Sequence, residues 1–78
     1  MEISRHARNN MRLYKISESD IIKTIESSDV SDREGEKSIA IKKFSGRFSG
    51  YPLKVVYELV AEDIYVITTY PLKKKRWR

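Results

Sequence analysis

The sequence predicts an α+β fold in which two N-terminal helices pack on an antiparallel sheet of three or four strands. In the first third of the chain, apolar residues recur at helical spacing. From Val30 onward they alternate and are rich in β-branched and aromatic types, which favours strands. A length of 78 residues allows one compact domain. We therefore predict a single domain over residues 1–72, followed by a basic tail over residues 73–78.

The first predicted helix begins after Ser4, a favoured N-cap residue, and ends near Tyr14. The residues that we expect to face the core recur at helical spacing and are Ala7, Met11 and Tyr14. A basic stripe with the same spacing consists of Arg5, Arg8 and Arg12. His6 lies between these two sides, so we expect it at the boundary of the core.

The second predicted helix begins after Ser17, and Asp20 at its third position is suited to a capping box. Its apolar stripe consists of Ile21, Ile22 and Ile25. The polar run at 27–29 ends it. We interpret the acidic residues of this helix as a solvated face and a cap.

The predicted strands and turns follow in order: an edge strand at 30–33, a turn at 34–36, a strand at 38–44, a loop at 45–50, a strand at 53–60, a hairpin loop at 61–63 and a strand at 64–70. In the last strand we expect one face to carry Ile64, Val66, Thr68 and Tyr70. Both long strands have apolar residues on both faces, as at the centre of a sheet with helices on one side.

Most of the net charge of +5 lies at the C-terminal end of the chain. Five of the 16 basic residues lie at 73–78, which leaves 11 basic against 11 acidic residues elsewhere. Without cysteine and with one histidine, neither a disulfide nor a common zinc site is expected. No phosphate-binding glycine loop or dinucleotide motif is present, so we predict no cofactor. Without a signal-like or bilayer-length apolar segment, we expect a cytoplasmic protein with no membrane partner.

Candidate catalytic residues begin with His6, the only histidine, because its ordinary pKa suits proton transfer at neutral pH. Arg8 and Arg12 are candidates for binding phosphate or stabilising a pentavalent transition state. The hydroxyls of Tyr57, Thr68 and Tyr70 would complete the site if they face away from the helices. The structural alternatives are packing of His6 at the helix boundary, a solvated arginine face and ordinary sheet packing by the hydroxyl residues.

Candidate nucleic-acid-binding residues lie in two segments of the chain. The glycine-containing loop and its approach supply Lys43 and Arg47, whose alternative role is a plain hairpin connection. The tail supplies Lys73, Lys74, Lys75, Arg76 and Trp77. The indole of Trp77 is suited to stacking on a base, whereas the alternative is a tail that serves solubility.

The run from Ser4 to Met11 (SRHARNNM) and the run from Lys15 to Ile21 (KISESDI) resemble the opening of a small prokaryotic domain family of unknown function. The paired strand segments YPLKVVY and VITTY are also similar to that family, so the resemblance covers nearly the whole chain. Where the family has Arg-Gly between the helices, this chain has Leu13-Tyr14-Lys15, which leaves Lys15 as the basic residue at the joint.

That family is similar to BrnT and, more distantly, to the RelE/ParE toxins. The resemblance implies a RelE/barnase-like fold, metal-independent RNA cleavage, RNA or the ribosome as target, and a cognate antitoxin as partner. It leaves open whether the chain is an enzyme. The alternative is a non-catalytic module whose helix-1 arginines and tail bind nucleic acid or an acidic protein. A second copy of the chain is a further expected partner, because a domain of this size has a thin core.

Overall fold

The computed structural model describes residues 1–73. Within that range the chain forms two α-helices and five strands. Their order is β1 (Glu2–Ile3), α1 (Arg5–Tyr14), α2 (Glu18–Glu26), β2 (Val30–Glu34), β3 (Lys37–Lys42), β4 (Leu53–Val60) and β5 (Asp63–Pro71). A short 3₁₀ turn, Phe48–Gly50, precedes β4. The predicted α+β class with two N-terminal helices is confirmed.

The sheet has five strands in the order β1-β5-β4-β3-β2 and is mixed rather than antiparallel. Strands β2 to β5 form an antiparallel meander, as expected. The fifth strand, β1, pairs in parallel with β5 through Glu2 and Ile3. The prediction of three or four antiparallel strands was wrong on this point, because two residues are too few to show the alternation that identifies a strand.

Ser4 fixes the start of α1 to the sheet, in addition to acting as the predicted N-cap. Its Oγ accepts the N–H of Ala7 at 3.0 Å and donates to the carbonyl of Ile67 at 2.6 Å. Its own N–H donates to the carbonyl of Val66 at 3.0 Å. The helix is therefore held at its first turn against β5, with its polar side turned outward.

The start of α2 has the predicted capping box. Ser17 Oγ accepts the N–H of Asp20, and the carboxylate of Asp20 accepts the N–H of Ser17 at 2.9 Å. The helix ends at Glu26, where the polar run begins, as expected. Both helices pack on the same face of the sheet, α1 on β5 and α2 on β3 and β4.

The core between the helices and the sheet consists of Ala7, Ile16, Ile21, Leu53, Val55 and Val66. The opposite side of the sheet, which we call the open face, has no helix on it in the part of the chain that the structure describes. Its central residues alternate with core residues and are Ile39, Ile41, Lys54, Val56, Glu58, Tyr65, Thr68 and Tyr70. Neither helix within residues 1–73 is long and apolar enough to cross a membrane.

A β-bulge in β5 divides the residues that were expected to share one face. Val56 pairs with Thr68, but the next residue, Tyr57, pairs with Val66, so Ile67 is an extra residue. Ile64 and Val66 therefore pack on the helix side, whereas Thr68 and Tyr70 lie on the open face. The prediction of one shared face was wrong, because it assumed an uninterrupted period of two.

Candidate functional site

The outer surface of α1 is strongly basic. Arg5, Arg8 and Arg12 are all exposed and lie within about 60° of one another around the helix axis. They face away from the buried Ala7 side of the helix. The helix contains no acidic residue, and exposed Lys15 follows it. The sequence predicted this stripe, and its solvent exposure leaves all three guanidinium groups accessible.

Arg12 lies in the last turn, near the negative end of the helix dipole, where a cation is favourable, but the other features of the stripe are unfavourable to the helix. Arg5 is the first helical residue, next to the positive end of the helix dipole, where a cation is unfavourable. The spacings of Arg5 to Arg8 and of Arg8 to Arg12 place like charges on neighbouring turns, which costs about 0.2–0.5 kcal/mol per pair. Within residues 1–73 the only two ion pairs are Met1–Asp63 and Asp20–Arg47, so no carboxylate neutralises the stripe. A solvated face of mixed charge would avoid these costs.

The start of the basic tail lies beside the end of α1. The ammonium group of Lys73 is 5.7 Å from the ring centroid of Tyr14, the last residue of α1. This contact extends the basic region of the helix to the last residue that the structure describes. We call the exposed cations on and beside the helix, Arg5, Arg8, Arg12, Lys15 and Lys73, the α1 surface. The other predicted tail residues, Lys74, Lys75, Arg76 and Trp77, lie outside the described residues.

His6 is exposed on α1, about 100° or more around the helix axis from each arginine of the stripe, rather than at the boundary of the core. The expectation that it borders the core was therefore wrong, because the buried side of α1 is narrow and only Ala7 is fully buried in it. The exposed imidazole is accessible to a substrate and also to water.

The other predicted catalytic residues are divided between the two faces of the sheet. Tyr57 packs against the core on the helix side, so the condition that it faces away from the helices is not met. Thr68 and Tyr70 lie on the open face, where Lys54 Nζ is 5.6 Å from the centroid of the Tyr70 ring. Because α1 lies on the other side, the sheet separates Thr68 and Tyr70 from His6, Arg8 and Arg12. The fold does not bring the six residues into one site.

Arg47 is held in the structure rather than directed at a ligand. Its guanidinium donates to both carboxylate oxygens of Asp20, at 2.8 and 2.7 Å. It also lies against the rings of Phe48 and Phe44, with centroid distances of 4.7 and 5.8 Å. We call these contacts of Arg47 with Asp20, Phe44 and Phe48 the clamp. The clamp fastens the 45–50 loop to the start of α2. Asp20, the predicted capping residue, is also buried, which its role as a cap did not indicate.

Lys43 and its neighbour lie at the end of α2. The backbone N–H of Lys43 donates to the carboxylate of Asp29 at 2.8 Å. Lys42 Nζ donates to the carbonyl of Ser27, at the helix C-terminus, at 3.2 Å. The side chain of Lys43 is exposed, so its predicted role in binding nucleic acid stays a prediction.

Two shallow cavities lined by residues 1–73 lie on the sheet, away from the α1 surface. One of about 400 Å³ lies beside β2 and is lined by polar residues together with Ile39 and Tyr57. Another of about 400 Å³ lies at the β4–β5 hairpin, beside Val60 and Tyr65. No group of three His, Asp or Glu side chains in residues 1–73 is placed to hold a metal ion.

Because of the clamp, we expect the folded protein to lose stability in acid. The hydrogen bonds from Arg47 hold the pKa of Asp20 below its ordinary value of 3.8, against the opposing effect of burial. The unfolded chain therefore takes up this proton at a higher pH than the folded chain. The stability that the clamp contributes is complete above about pH 4 and is lost as the pH falls through the folded pKa. We expect the difference in unfolding free energy between wild type and Arg47→Ala, measured with urea, to shrink below about pH 4. A constant difference down to the acid transition would contradict this account.

A family model described as "Domain of unknown function (DUF4258)" matches residues 3–71 of the chain. The match includes both helices and β2 to β5, and it ends before Lys73. No curated protein and no solved structure matches the chain at a significant level.

Proposed function

The chain belongs to the DUF4258 family, and we propose that it binds nucleic acid without cleaving it, through the α1 surface. The observation that carries this proposal is a helix whose exposed cations have no carboxylate partner within residues 1–73. These like charges repel one another along the helix, and bound phosphate groups would neutralise them. The sheet separates the six predicted catalytic residues, all of which lie within residues 1–73, and this separation favours binding over cleavage.

The chemistry of the α1 surface suits a phosphate backbone. Each arginine presents a planar fork of donors that matches two phosphate oxygens, and an exposed side chain reaches a phosphate at little desolvation cost. The arginines span about 10 Å along the helix, so neighbouring phosphates of one strand are within reach of different side chains. Such contacts position nucleic acid without selecting a sequence. We therefore propose binding to phosphate backbones rather than recognition of a particular site.

Binding is tested by fluorescence anisotropy with labelled duplex DNA, duplex RNA and single-stranded RNA over a range of salt concentrations. We expect affinity to fall steeply with salt, because each neutralised phosphate releases counterions. His6→Ala is expected to bind as tightly as wild type. Deletion of residues 73–78 is expected to weaken binding; it retains Leu72, which is buried and bonded to Pro52. Unlabelled polyglutamate serves as a competitor. No binding at low salt, or salt-independent binding, would sink the proposal.

Metal-independent ribonuclease activity is the second candidate. It is supported by the resemblance of residues 4–11 and 15–21 to BrnT-like and RelE/ParE-like toxins and by the exposure of His6 on the same helix as the three arginines. In this mechanism His6 would act as general acid or base, and Arg8 and Arg12 would bind the reacting phosphate. A cognate antitoxin would then cover the same surface. The sheet separates Thr68 and Tyr70 from that site, so they would not assist there.

The two candidates are separated by incubating the protein with total RNA, with and without ribosomes. The non-catalytic proposal predicts intact RNA for both wild type and His6→Ala. Cleavage by wild type but not by a folded His6→Ala variant would establish the ribonuclease and assign His6 to it. Cleavage by both proteins would overturn the non-catalytic proposal and leave His6 without a role.

A further inference from the structure

The exposed side of α1 is divided into a charged half and an uncharged half. The charged half is the arginine stripe. The uncharged half consists of Asn9, Leu13 and His6, which are all exposed and lie within about 60° of one another around the helix axis. Asn9 lies about 40° from Arg5, so the two halves adjoin on the part of the helix that faces away from buried Ala7. The proposed phosphate contacts use the charged half alone.

Leu13 is the unusual member of the uncharged half. Its side chain is 68% exposed, although it is a large aliphatic group on a helix whose other exposed residues are polar or charged. Removal of this apolar surface from water is favourable, and the folded chain does not achieve it. The uncharged half is therefore suited to a surface that offers both hydrogen-bonding groups and apolar groups, next to the phosphates that the arginines contact.

The major groove of B-form DNA presents these surfaces side by side. Its walls are phosphate backbones, and its floor consists of base edges that carry hydrogen-bonding groups and the methyl groups of thymine. The groove is about 12 Å wide, and an α-helix with its side chains is about 10–12 Å across. We propose that the nucleic acid bound by the α1 surface is duplex DNA, and that α1 lies in its major groove. This inference rests on the proposed nucleic-acid binding and names its substrate class.

In this arrangement the arginine stripe faces the phosphates of one wall, and Asn9 and Leu13 face the floor. The amide of Asn9 has both donors and an acceptor, and every base pair presents at least one acceptor in the major groove. Asn9 therefore finds a partner on any sequence, while Leu13 contacts thymine methyl groups where they occur. The contacts select the form of the double helix rather than a particular site.

The position of α1 in the fold leaves it accessible to a groove. The helix packs on β5, next to edge strand β1, whereas α2 packs on β3 and β4. Six of its ten residues are exposed, so nothing in residues 1–73 covers its outer side. A helix of ten residues is about 15 Å long, which corresponds to about four base pairs at 3.4 Å each.

Duplex RNA and single strands do not offer the same fit. The major groove of A-form RNA is deep and too narrow for side chains to reach the base edges. A single strand has no groove, so it would contact the arginine stripe alone. The inference therefore predicts different affinities for duplexes of similar charge, whereas phosphate contacts alone predict similar affinities.

Fluorescence anisotropy at about 0.1 M salt with four duplexes of one sequence tests the inference. They are unmodified DNA, RNA, DNA with glucosylated 5-hydroxymethylcytosine in place of cytosine, and DNA with inosine in place of guanosine. The glucose units fill the major groove without changing the charge, whereas inosine alters only the minor groove, because it lacks the N2 amino group. We expect RNA and glucosylated DNA to bind at least roughly tenfold more weakly than unmodified DNA, and inosine DNA to bind equally well.

Leu13→Ala tests the contact with the floor of the groove, and Ile22→Ala is its matched control. Ile22 is 43% exposed on α2, outside the α1 surface. We expect Leu13→Ala to weaken the binding of unmodified DNA roughly fivefold and to leave the binding of duplex RNA unchanged, because only DNA buries this side chain. Ile22→Ala should leave both affinities unchanged. Circular dichroism verifies that both variants are folded.

The outcomes separate this inference from the proposed function. Salt-dependent binding that is equally tight for unmodified DNA, glucosylated DNA and RNA overturns the groove and leaves the phosphate contacts in place. Binding of unmodified DNA by Leu13→Ala as tightly as by wild type also overturns the groove. The absence of salt-dependent binding to all four duplexes overturns both the groove and the proposed function.

Discussion

Replacement of Arg47 by alanine is expected to lower the free energy of unfolding by about 2–3 kcal/mol. The variant leaves the carboxylate of Asp20, whose side chain is 5% exposed, without the two hydrogen bonds that it accepts from the guanidinium. It also removes the contacts of the guanidinium with Phe44 and Phe48. The expected loss lies below that for a fully buried pair, because the Arg47 side chain is 42% exposed and solvent screens it. Domains of this size have a total stability of about 4–12 kcal/mol, so the loss is large.

Chemical unfolding at neutral pH measures this effect, and Arg33→Ala is the matched control. Arg33 is exposed and has no carboxylate partner among residues 1–73, so its removal is expected to change stability by less than about 0.5 kcal/mol. Addition of Asp20→Asn to Arg47→Ala should recover part of the loss, because it removes the buried charge. Equal stabilities of Arg47→Ala and Arg33→Ala would contradict the role of the clamp.

The triple replacement of Arg5, Arg8 and Arg12 by alanine is expected to weaken nucleic-acid binding roughly a hundredfold at about 0.1 M salt. The estimate assumes that each arginine neutralises one phosphate, so that three counterion releases are lost. The fold should persist, because all three side chains are exposed and alanine is the best helix former. Removal of like charges along α1 should even raise the thermal stability slightly.

The control for this variant removes the same charge from elsewhere. Lys23, Arg33 and Lys37 are exposed residues outside the α1 surface, and their triple replacement by alanine lowers the net charge equally. We expect that control to lose far less affinity, because its cations act only through the long-range field. If both triple variants lose affinity equally, binding depends on net charge and the α1 surface has no special role.

Local signals in the sequence were sufficient to predict the helices and most of the strands of the sheet. Ser4 and Ser17 begin α1 and α2 as predicted, because an N-cap acts within three residues of its own position. The arginine stripe follows from helical spacing alone. Strand β1 was missed because Glu2 and Ile3 are held by β5, more than 60 residues away, rather than by any pattern of their own.

Features that depend on long-range geometry could not be predicted from the sequence. Asp20 has a sufficient local explanation as a capping residue, so nothing indicated that Arg47, 27 residues later, also binds it. The bulge at Ile67 reversed the face of every residue beyond it, which separated Thr68 and Tyr70 from Val66. For the packing of Arg47, the sequence held one signal. Arg47 stands between two phenylalanines, a pattern typical of a cation packed on aromatic rings.

Chemical-shift mapping of the backbone amides during titration with a short nucleic acid tests most directly that the α1 surface is the binding site. The account predicts that the largest changes fall on residues 5–15 and on Lys73, and that they diminish as salt is added. Changes concentrated on the open face or on the 45–50 loop, with α1 unaffected, would contradict it.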